Sequence, residues 1–258
     1  MKLNNRNIVI TGSSGGIGWA FAEACARNKN HLILVQRKSQ GTEVDSLLKL
    51  GALSVHLILA DLSNRQEVQK VSEELKTKNV DVLFNNAGLL TGGLLEEQPL
   101  EDIHKMLEVN VHALIHLTHQ IVPQLVRQKS GYIINHASVS AVMHMPCAST
   151  YAASKAAVWA FTDCLQQELK STGVQTLCLF TPGIKTKMFD QIDDLYSKNM
   201  KVPQDYISPE SYAKKIVQAV ENSQNYLEPT GATGIAFFTA THFKSVFNWG
   251  LSKAFKGR

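Results

Sequence analysis

Two residues four positions apart, Tyr151 and Lys155, could carry out acid–base chemistry together. On a helix this spacing places a phenol and an ammonium on one face, where the cation stabilises a phenolate. We therefore expect this tyrosine to exchange protons near neutral pH. The spacing alone is weak evidence, because a packed tyrosine beside a solvated lysine produces the same pattern. The other motifs of the chain decide between these interpretations.

A glycine-rich segment from Thr11 to Gly18, with the sequence TGSSGGIG, could hold a phosphate group. Its glycines allow a tight turn, let a pyrophosphate approach the backbone, and let a helix pack closely on a strand. The segment lies between a predicted strand and a predicted helix, whose N-terminus would face the anion. This context favours a dinucleotide-binding loop over a simple turn. The predicted cofactor contacts here are Gly12, Ser13, Ser14, Gly16, Ile17 and Gly18.

The second predicted strand ends in Gln36, Arg37 and Lys38. An acidic residue at this position would bind the hydroxyls of the adenosine ribose and repel a 2′-phosphate. This chain has two cations instead, and Arg37 suits a phosphate on the ribose. We therefore predict NADP(H) in preference to NAD(H), with Arg37 and Lys38 among the contacts. The alternative is that both are ordinary solvated surface charges.

The composition is that of a globular protein of 258 residues with a net charge of +4. Hydrophobic residues make up 44% of the chain, and no basic stripe with interleaved aromatic residues is present, which argues against nucleic-acid binding. No stretch has the roughly 18 uninterrupted apolar residues of a membrane-spanning helix, and the first residues lack the pattern of a signal peptide. The four cysteines have neither metal-binding nor disulfide spacing. We expect a cytoplasmic protein with free thiols.

Short β-branched runs alternate with longer segments of helical period. This alternation predicts an α/β fold: a Rossmann-like, doubly wound parallel sheet in three layers, formed as a single domain over residues 1–258. The predicted strands are Ile8 to Thr11, His31 to Gln36, Val55 to Ala60, Val80 to Asn85, Gly131 to Ala137, Val174 to Thr181 and, less clearly, Tyr226 to Glu228. The predicted helices are Ile17 to Asn28, Glu43 to Leu50, Arg65 to Thr77, Leu100 to Leu107, Val109 to Arg127 and Tyr151 to Ser171.

The pattern changes after Pro182 and Gly183. Residues 184 to 207 have the composition of a polar, irregular stretch, and a helix is predicted to begin after Ser208 as N-cap. Because long irregular stretches are often functional, we predict a substrate lid over residues 184–208. Substrate contacts would come from this lid and from residues 139–148. Apolar residues in both segments suggest an apolar ligand; the alternative is that they only seal the lid. These residues are Val142, Met143, Met145, Met188, Phe189 and Leu195.

Taken in order, these motifs resemble those of the short-chain dehydrogenase/reductase family from the N-terminus to about residue 190. Five further motifs contribute to the match: Asp61-Leu62, the NNAG run ending at Gly88, Asn110 in EVNV, Ser138 in NHAS, and Pro182-Gly183 with Thr186. The resemblance implies that Asp61 and Leu62 lie at the adenine. It implies that Asn86, Ala87 and Gly88 lie by the adenosine ribose, and that Pro182, Gly183 and Thr186 border the nicotinamide. It also implies a catalytic tetrad of Asn110, Ser138, Tyr151 and Lys155.

In that family the tetrad interconverts a carbonyl and an alcohol by hydride transfer with a nicotinamide cofactor. Tyr151 would exchange the proton, and Lys155, together with the oxidised nicotinamide, would lower the pKa of Tyr151. Lys155 would also bind the nicotinamide ribose, Ser138 would bind the substrate oxygen, and Asn110 would hold a water molecule. The rival interpretation is an NADP-binding regulatory or scaffold protein without turnover. The complete tetrad argues against it, since a pure binder needs neither Ser138 nor Tyr151.

Two further groups of residues have more than one interpretation. His112, His116 and His119 share a predicted helix face, but no carboxylate or cysteine completes a metal site, and we predict none. We interpret them as packed or interfacial, because the resemblance implies a homodimer or homotetramer. Residues 225–258 form a tail that departs from the family. One face of residues 243–255 is apolar, and packing on the core or a sister subunit is favoured over a peripheral membrane contact.

Overall fold

The computed structural model describes residues 1–196 and 206–255. The strands in these residues are β1 (Asn7–Thr11), β2 (His31–Gln36), β3 (Ser54–Leu59), β4 (Val82–Asn85), β5 (Gly131–His136), β6 (Val174–Leu179) and β7 (Tyr226–Leu227). The helices are α1 (Gly16–Arg27), α2 (Glu43–Lys49), α3 (Arg65–Lys76), α4 (Leu100–Leu107), α5 (Leu114–Gln128), α6 (Ser149–Glu168), α7 (Lys187–Tyr196), α8 (Pro209–Glu221), α9 (Gly231–His242) and α10 (Lys244–Ala254). A one-turn π-helix (Glu108–Ala113) joins α4 to α5, and 3-10 turns occur at Leu95–Glu97 and Val139–Ala141.

The described strands form one parallel sheet in the order β3-β2-β1-β4-β5-β6-β7. The chain moves outward from β1 to β3 and then returns to the other side of β1 with β4. The strand order therefore reverses between β1 and β4, and a crevice forms there beyond the carboxyl ends of the strands. The segments that follow β1, β4 and β5 meet at this edge of the sheet.

Helices cover both faces of the sheet. Ile8 and Ile10 of β1 belong to the apolar cluster that also contains residues of α1 and α8, whereas Val9 belongs to the cluster formed with α3 and α5. Successive strand residues point to opposite faces, so a strand covered on both sides must be apolar throughout. The prediction of a doubly wound α/β fold in three layers is confirmed.

Helix α7 lies in the stretch for which the sequence predicts irregular structure, and that prediction is wrong for Lys187–Tyr196. Apolar residues at positions 188, 189, 192, 195 and 196 have helical spacing, but the charged residues between them obscure it. Residues 197–205 of the predicted lid lie outside the described residues. The two ends of the excursion are adjacent, because Ile184 and Ile207 form a parallel bridge and the Ile207 amide donates to the Gly183 carbonyl at 3.1 Å. Its role as a substrate lid stays a prediction.

The tail contains two helices where the sequence predicts one. Helix α9 is absent from the prediction because glycine and threonine, which are poor helix formers, are frequent in it. Its Phe237 packs on Phe180, with ring centroids 4.9 Å apart. In α10 the predicted apolar face is split, since Phe247 and Leu251 are half-buried while Val246 is exposed. No helix among the described residues is long and apolar enough to cross a membrane.

Candidate active site

Tyr151 and Lys155 lie in the first two turns of α6, and the structure places them together. The Lys155 ammonium is 5.7 Å from the centroid of the Tyr151 ring. Lys155 is only 3% exposed and donates to the backbone carbonyl oxygen of His136, the last residue of β5, at 2.7 Å. This bond fixes the lysine at the carboxyl end of the sheet, within reach of the crevice.

Ser138 and Asn110 approach the same point from other elements. Ser138 follows β5 as N-cap of a 3-10 turn, and its hydroxyl accepts from the Ser140 amide at 3.1 Å. Asn110 lies in the π-helix, a geometry that is frequent at functional sites. Its amide group accepts from the Leu89 amide at 2.8 Å and donates to the Leu89 carbonyl and to the Ser154 hydroxyl.

Gly88 separates Asn110 from Lys155. A Cβ at position 88 would lie 3.4 Å from the Asn110 side-chain oxygen and 3.6 Å from the Lys155 ammonium. All four predicted tetrad residues are therefore brought to one place. The Asn110 side chain is engaged in its bonds to Leu89 and Ser154. Its predicted role in binding a water molecule stays a prediction.

Burial shifts the pKa values of both members of the pair in the protein alone. It raises the pKa of Tyr151 to about 12, and the Ser138 hydroxyl offsets only part of this increase. Burial lowers the pKa of Lys155 to about 8. Desolvation of the phenolate is the dominant effect on Tyr151 when no cofactor is bound. The lowering of the Tyr151 pKa expected from Lys155 together with an oxidised nicotinamide stays a prediction.

The glycine-rich segment forms a cradle that side chains would fill. Gly12 has a φ of +65°, and a Cβ there would lie 2.7 Å from the Ala87 Cα atom. A Cβ at Gly18 would lie 2.5 Å from the Asn86 amide nitrogen, and one at Gly16 would lie 3.1 Å from Thr186. The first turn of α1 carries no acidic residue, so its free amides are open to an anion. The cradle fits a pyrophosphate group.

Two predicted cofactor residues have side chains that point elsewhere. The Ser13 hydroxyl is buried and donates to the Gln36 side-chain oxygen at 2.9 Å, and Ile17 is buried in the core. A cofactor could contact these residues only through their backbone. Ser14, in contrast, is exposed at the mouth of the cradle.

Thr11 and Asn86 connect the ends of β1 and β4, and sequence reasoning gave Thr11 no role of its own. The Thr11 hydroxyl accepts from the amides of Asn86 and Ala87 at 3.0 Å each. The Asn86 side chain donates to the carbonyls of Thr11 and Gly12, and its oxygen pairs with the His136 ring at 3.1 Å. Burial lowers the pKa of His136 to about 3, so this ring is neutral. These contacts hold the cradle against the loop that follows β4.

The loop after β2 has an anchor that sequence reasoning missed, Glu43. This carboxylate is 3% exposed and accepts from the Gln36 side chain at 2.7 Å and from the Gln40 amide at 2.6 Å. These bonds lower the pKa of Glu43 to about 2, and the bond from the Gln40 amide is the largest cause. The sequence does contain a signal for this anchor, because Glu43 is an acidic residue in the first turn of a predicted helix, where acidic residues are stabilising. Arg37 and Lys38 precede this anchor and are exposed.

Asp61 and Leu62 follow β3 on the same edge of the sheet. Asp61 accepts from the Ser63 amide and hydroxyl at 2.9 and 2.8 Å. Burial acts to raise its pKa, but the bonds from Ser63 and the charges of Arg37 and Lys105 lower the pKa below its usual value. Arg37 therefore lies on the side of the crevice where Asp61 is found. Leu62 is buried in the core, 7% exposed.

Pro182 and Gly183 follow β6 and lead into the predicted lid. Thr181, just before them, pairs with the Tyr212 hydroxyl of α8 at 3.0 Å. Thr186 lies against Gly16, so the start of the lid and the glycine cradle face one another. Of the three predicted residues, Thr186 thus contacts the cradle, and Pro182 and Gly183 lie in the segment that leads to it from β6.

A buried chain of amides supports α6 beneath the site. The Asn85 side chain donates to Thr118 of α5 and to the Asn135 oxygen, both at 2.9 Å, and Asn135 donates to Thr162 of α6 at 3.0 Å. The chain joins two helices to β4 and β5. Sequence reasoning missed these roles, because Asn85 and Asn135 read as ordinary members of apolar strands.

Of the three histidines, His112 lies in the π-helix and is half-buried, His116 lies on α5 and is half-buried, and His119 lies on α5 and is exposed. His116 pairs with Ser72 of α3 at 3.3 Å, and burial lowers its pKa. His112 lies 3.4 Å from the Glu108 carboxylate. Within residues 1–196 and 206–255, no group of histidine, cysteine and acidic side chains could hold a metal ion.

The family model of the short chain dehydrogenases matches residues 6–196. The uncharacterized oxidoreductase YusZ of Bacillus subtilis is 28% identical over 253 residues, which cover 95% of this chain and 88% of the relative. Nodulation protein G of a Rhizobium species is 34% identical over 198 residues, which cover 75% of this chain and 79% of that protein. L-Sorbose reductase from Gluconobacter frateurii, solved with NADPH and L-sorbose, has a TM-score of 0.75 at 25% identity and covers 88% of this chain and 95% of its own. The match of the family model to well over half of the sequence, together with the fold and the grouped tetrad, means that this chain belongs to the short-chain dehydrogenase family.

Proposed function

We propose that this protein is an NADP(H)-dependent oxidoreductase that interconverts a carbonyl and an alcohol, with Tyr151 as general acid and base. The observation that carries the proposal is the meeting of Tyr151, Lys155 and Ser138 at the edge of the sheet where the strand order reverses. The glycine cradle opens at the same edge. A binding protein without turnover has no use for a buried ammonium beside a phenol.

The residues of the cradle, with Lys155 and the Pro182–Thr186 segment, would hold a nicotinamide dinucleotide. When bound, this cofactor supplies or accepts the hydride. Tyr151 donates a proton to the oxygen of the reduced substrate, or removes it in the reverse direction. Ser138 binds that oxygen and orients it toward the phenol.

Lys155 acts on Tyr151 through charge. Its ammonium stabilises the phenolate that remains after proton donation, and its bond to the His136 carbonyl keeps the ammonium in place. Because the pKa of Tyr151 in the protein alone is about 12, the phenol is protonated at neutral pH. The free enzyme is therefore ready to act as the acid, in the direction of carbonyl reduction.

The preference for NADP(H) is proposed from the loop after β2. Arg37 and Lys38 are exposed there, and the nearby carboxylate of Glu43 is buried under hydrogen bonds from Gln36, Ser39, Gln40 and Thr42. The acid in this loop is therefore directed away from the crevice, and the two cations remain for a ribose phosphate. L-Sorbose reductase, similar in structure, was solved with NADPH.

The first test is the oxidation of NADPH, followed at 340 nm with a panel of ketones and aldehydes. We expect Tyr151→Phe to abolish turnover, at least 100-fold, because removal of the proton donor leaves the alkoxide without a partner. NADPH binding, measured by fluorescence, should stay within about threefold of wild type. Negligible turnover by both proteins over the whole panel would favour a regulatory or scaffold protein instead.

The second test concerns cofactor choice. Arg37→Asp should raise the Michaelis constant for NADPH by roughly 10- to 100-fold, because an interaction with the phosphate is replaced by repulsion. The constant for NADH should change little or fall. Arg127→Asp, at the far end of α5, is the matched control. Equal changes for both cofactors would mean that Arg37 does not contact the phosphate.

A homodimer or homotetramer and a cytoplasmic location are further parts of the proposal, and they are supported by family membership alone.

A further inference from the structure

The last residue of α7, Tyr196, has a buried hydroxyl without a function in the fold. The side chain is 4% exposed and packs with Cys147 and Ala148, the two residues that precede α6. The half-buried side chains around this cluster are apolar: Leu94, Met145, Leu195 and Phe255. The hydroxyl has no hydrogen-bond partner among the residues that the structure describes.

Gly92, in the loop after β4, is what allows the phenol to lie there. A Cβ at position 92 would come within 2.7 Å of the Tyr196 hydroxyl oxygen and still closer to the ring. The backbone of Gly92 is not left-handed, so this position requires a small residue for space and not for conformation. The loop is firmly held, because the Gly93 amide donates to the Cys147 carbonyl at 2.9 Å.

The other polar side chains near Gly92 already have partners. Thr91 and Thr150 lie 3.1 Å apart, and Thr150 donates to Gln98 at 2.7 Å. Gln98 in turn donates to the Gly93 carbonyl at 2.9 Å. These residues fix the loop to α6 and have little capacity left for a ligand, which distinguishes the Tyr196 hydroxyl from them.

Tyr196 lies next to the start of α6, the helix that carries Tyr151, because it packs on Cys147 and Ala148. Burial raises the pKa of Tyr196, and the charges that Tyr151 and Cys147 would carry when ionised raise it further. A buried hydroxyl without a partner is unfavourable unless something supplies the bond. The side chains that pack directly around the Tyr196 ring are apolar, and among such neighbours a polar group without a partner is suited to orient and select a ligand.

We propose that the Tyr196 hydroxyl binds a second polar group of the substrate, so that the enzyme selects apolar carbonyl compounds that carry a further hydrogen-bonding group away from the reacting carbon. This inference rests on the proposed function and specifies its substrate class. Tyr196 is then a specificity residue supplied by the predicted lid, and Gly92 is the position that admits it.

The test uses the full chain with NADPH and pairs of cyclic ketones that differ only by one hydroxyl group, placed at increasing distance from the carbonyl. For at least one pair, wild type should prefer the hydroxylated ketone by tenfold or more in kcat/KM. Tyr196→Phe keeps the ring and should reduce this preference to about twofold or less, while turnover of the unsubstituted ketone stays within about twofold of wild type. Tyr206→Phe, at the other end of the same excursion, is the matched control and should keep the preference.

A second variant displaces the phenol without removing it. Gly92→Ala should push the Tyr196 ring out of its position and reduce the preference as Tyr196→Phe does, with an unchanged dissociation constant for NADPH. Gly250→Ala, where a Cβ meets nothing within 4 Å, is its control. If wild type turns over ketones and Tyr196→Phe retains the preference, or no pair shows one, the role of Tyr196 is refuted and the proposed function stands. If wild type turns over no carbonyl compound, both proposals are refuted.

Discussion

Lys155 is a residue that lowers the stability of the folded protein although the proposed catalysis requires it. An ammonium that is 3% exposed has lost most of its hydration, and one carbonyl oxygen at 2.7 Å replaces it. The resulting pKa of about 8 lies below that of a lysine in an unfolded chain. Folding therefore favours the neutral amine, while catalysis as proposed needs the charged one.

This conflict predicts that Lys155→Met is more stable than wild type at pH 7. Between pH about 8 and about 10.4 Lys155 binds fewer protons in the folded state than in the unfolded state, so its own contribution to stability rises with pH. The buried thiols of Cys25 and Cys178, whose pKa values are raised, act in the opposite direction in both proteins, so the informative quantity is the difference between variant and wild type. The variant should be more stable by roughly 1–3 kcal/mol at pH 7, and this gain should shrink as pH rises to 10.5. Urea unfolding from pH 7 to 10.5 measures the difference, and Lys78→Met serves as a control. A variant that is less stable at pH 7, or whose gain does not change with pH, would contradict the pKa.

At the scale of elements, the site depends on how α6 is attached to the sheet. Tyr151 and Lys155 come from its first turns, and Thr162 further along binds Asn135 of β5. Asn135 in turn binds Asn85 of β4, and Asn85 binds Thr118 of α5. Buried amides joined by directional hydrogen bonds favour one arrangement of the two helices, whereas apolar side chains tolerate sliding.

Asn135→Leu should therefore destabilise the protein by roughly 2–4 kcal/mol, because the amide of Asn85 and the hydroxyl of Thr162 each lose a partner in a dry interior. Urea unfolding measures the loss. The exposed Asn79→Leu should stay within about 0.5 kcal/mol of wild type. We also expect a lower kcat with an unchanged Michaelis constant for NADPH in the variant, since α6 is free to shift. A change in stability below about 0.5 kcal/mol would show that the amide chain does not hold these elements together.

At the scale of the whole molecule, the C-terminal tail returns to the site. Phe255, directly after α10, packs on the cluster of Tyr196, Cys147 and Ala148. The same tail exposes several large apolar side chains: Ile235, Phe238, Phe243, Val246 and Trp249. A tail that only covered its own core would bury them, so a surface of this kind indicates an interaction. The sister subunit and the membrane both stay open as predictions for this surface.

The contact of Phe255 with the α7 cluster predicts that the tail supports substrate binding. Phe255→Ala should raise the Michaelis constant for the ketone substrate by about three- to tenfold, because Tyr196 loses packing. The constant for NADPH should not change. Trp249→Ala, an exposed aromatic residue on the same helix that stacks with Lys253, is the matched control. An equal effect of both variants would mean that the tail acts only through general stability.

The sequence by itself determined the sheet, the glycine cradle and the tetrad, and it indicated the family from the order of its motifs. These features depend on signals within a few residues of one another: strand and helix periods, glycines between a strand and a helix, and the spacing of Tyr151 and Lys155. The fold prediction is confirmed in its strand order and in its helices from α1 to α6, whereas the sequence does not predict α7 and α9. The roles of the site residues stay predictions, but the structure brings the tetrad together as expected.

Only the tertiary structure decided which side chains are free. Gln36 and Ser13 are bound to each other, Glu43 is turned inward, and Asn85 and Asn135 are joined through neighbouring strands. The contact of Tyr196 with Gly92 and the return of Phe255 also join residues far apart in the chain. No local spacing encodes such contacts, because they depend on where the packed helices bring each side chain. The direction of the Tyr151 pKa shift has the same origin, since its main cause, burial, exists only in the folded protein.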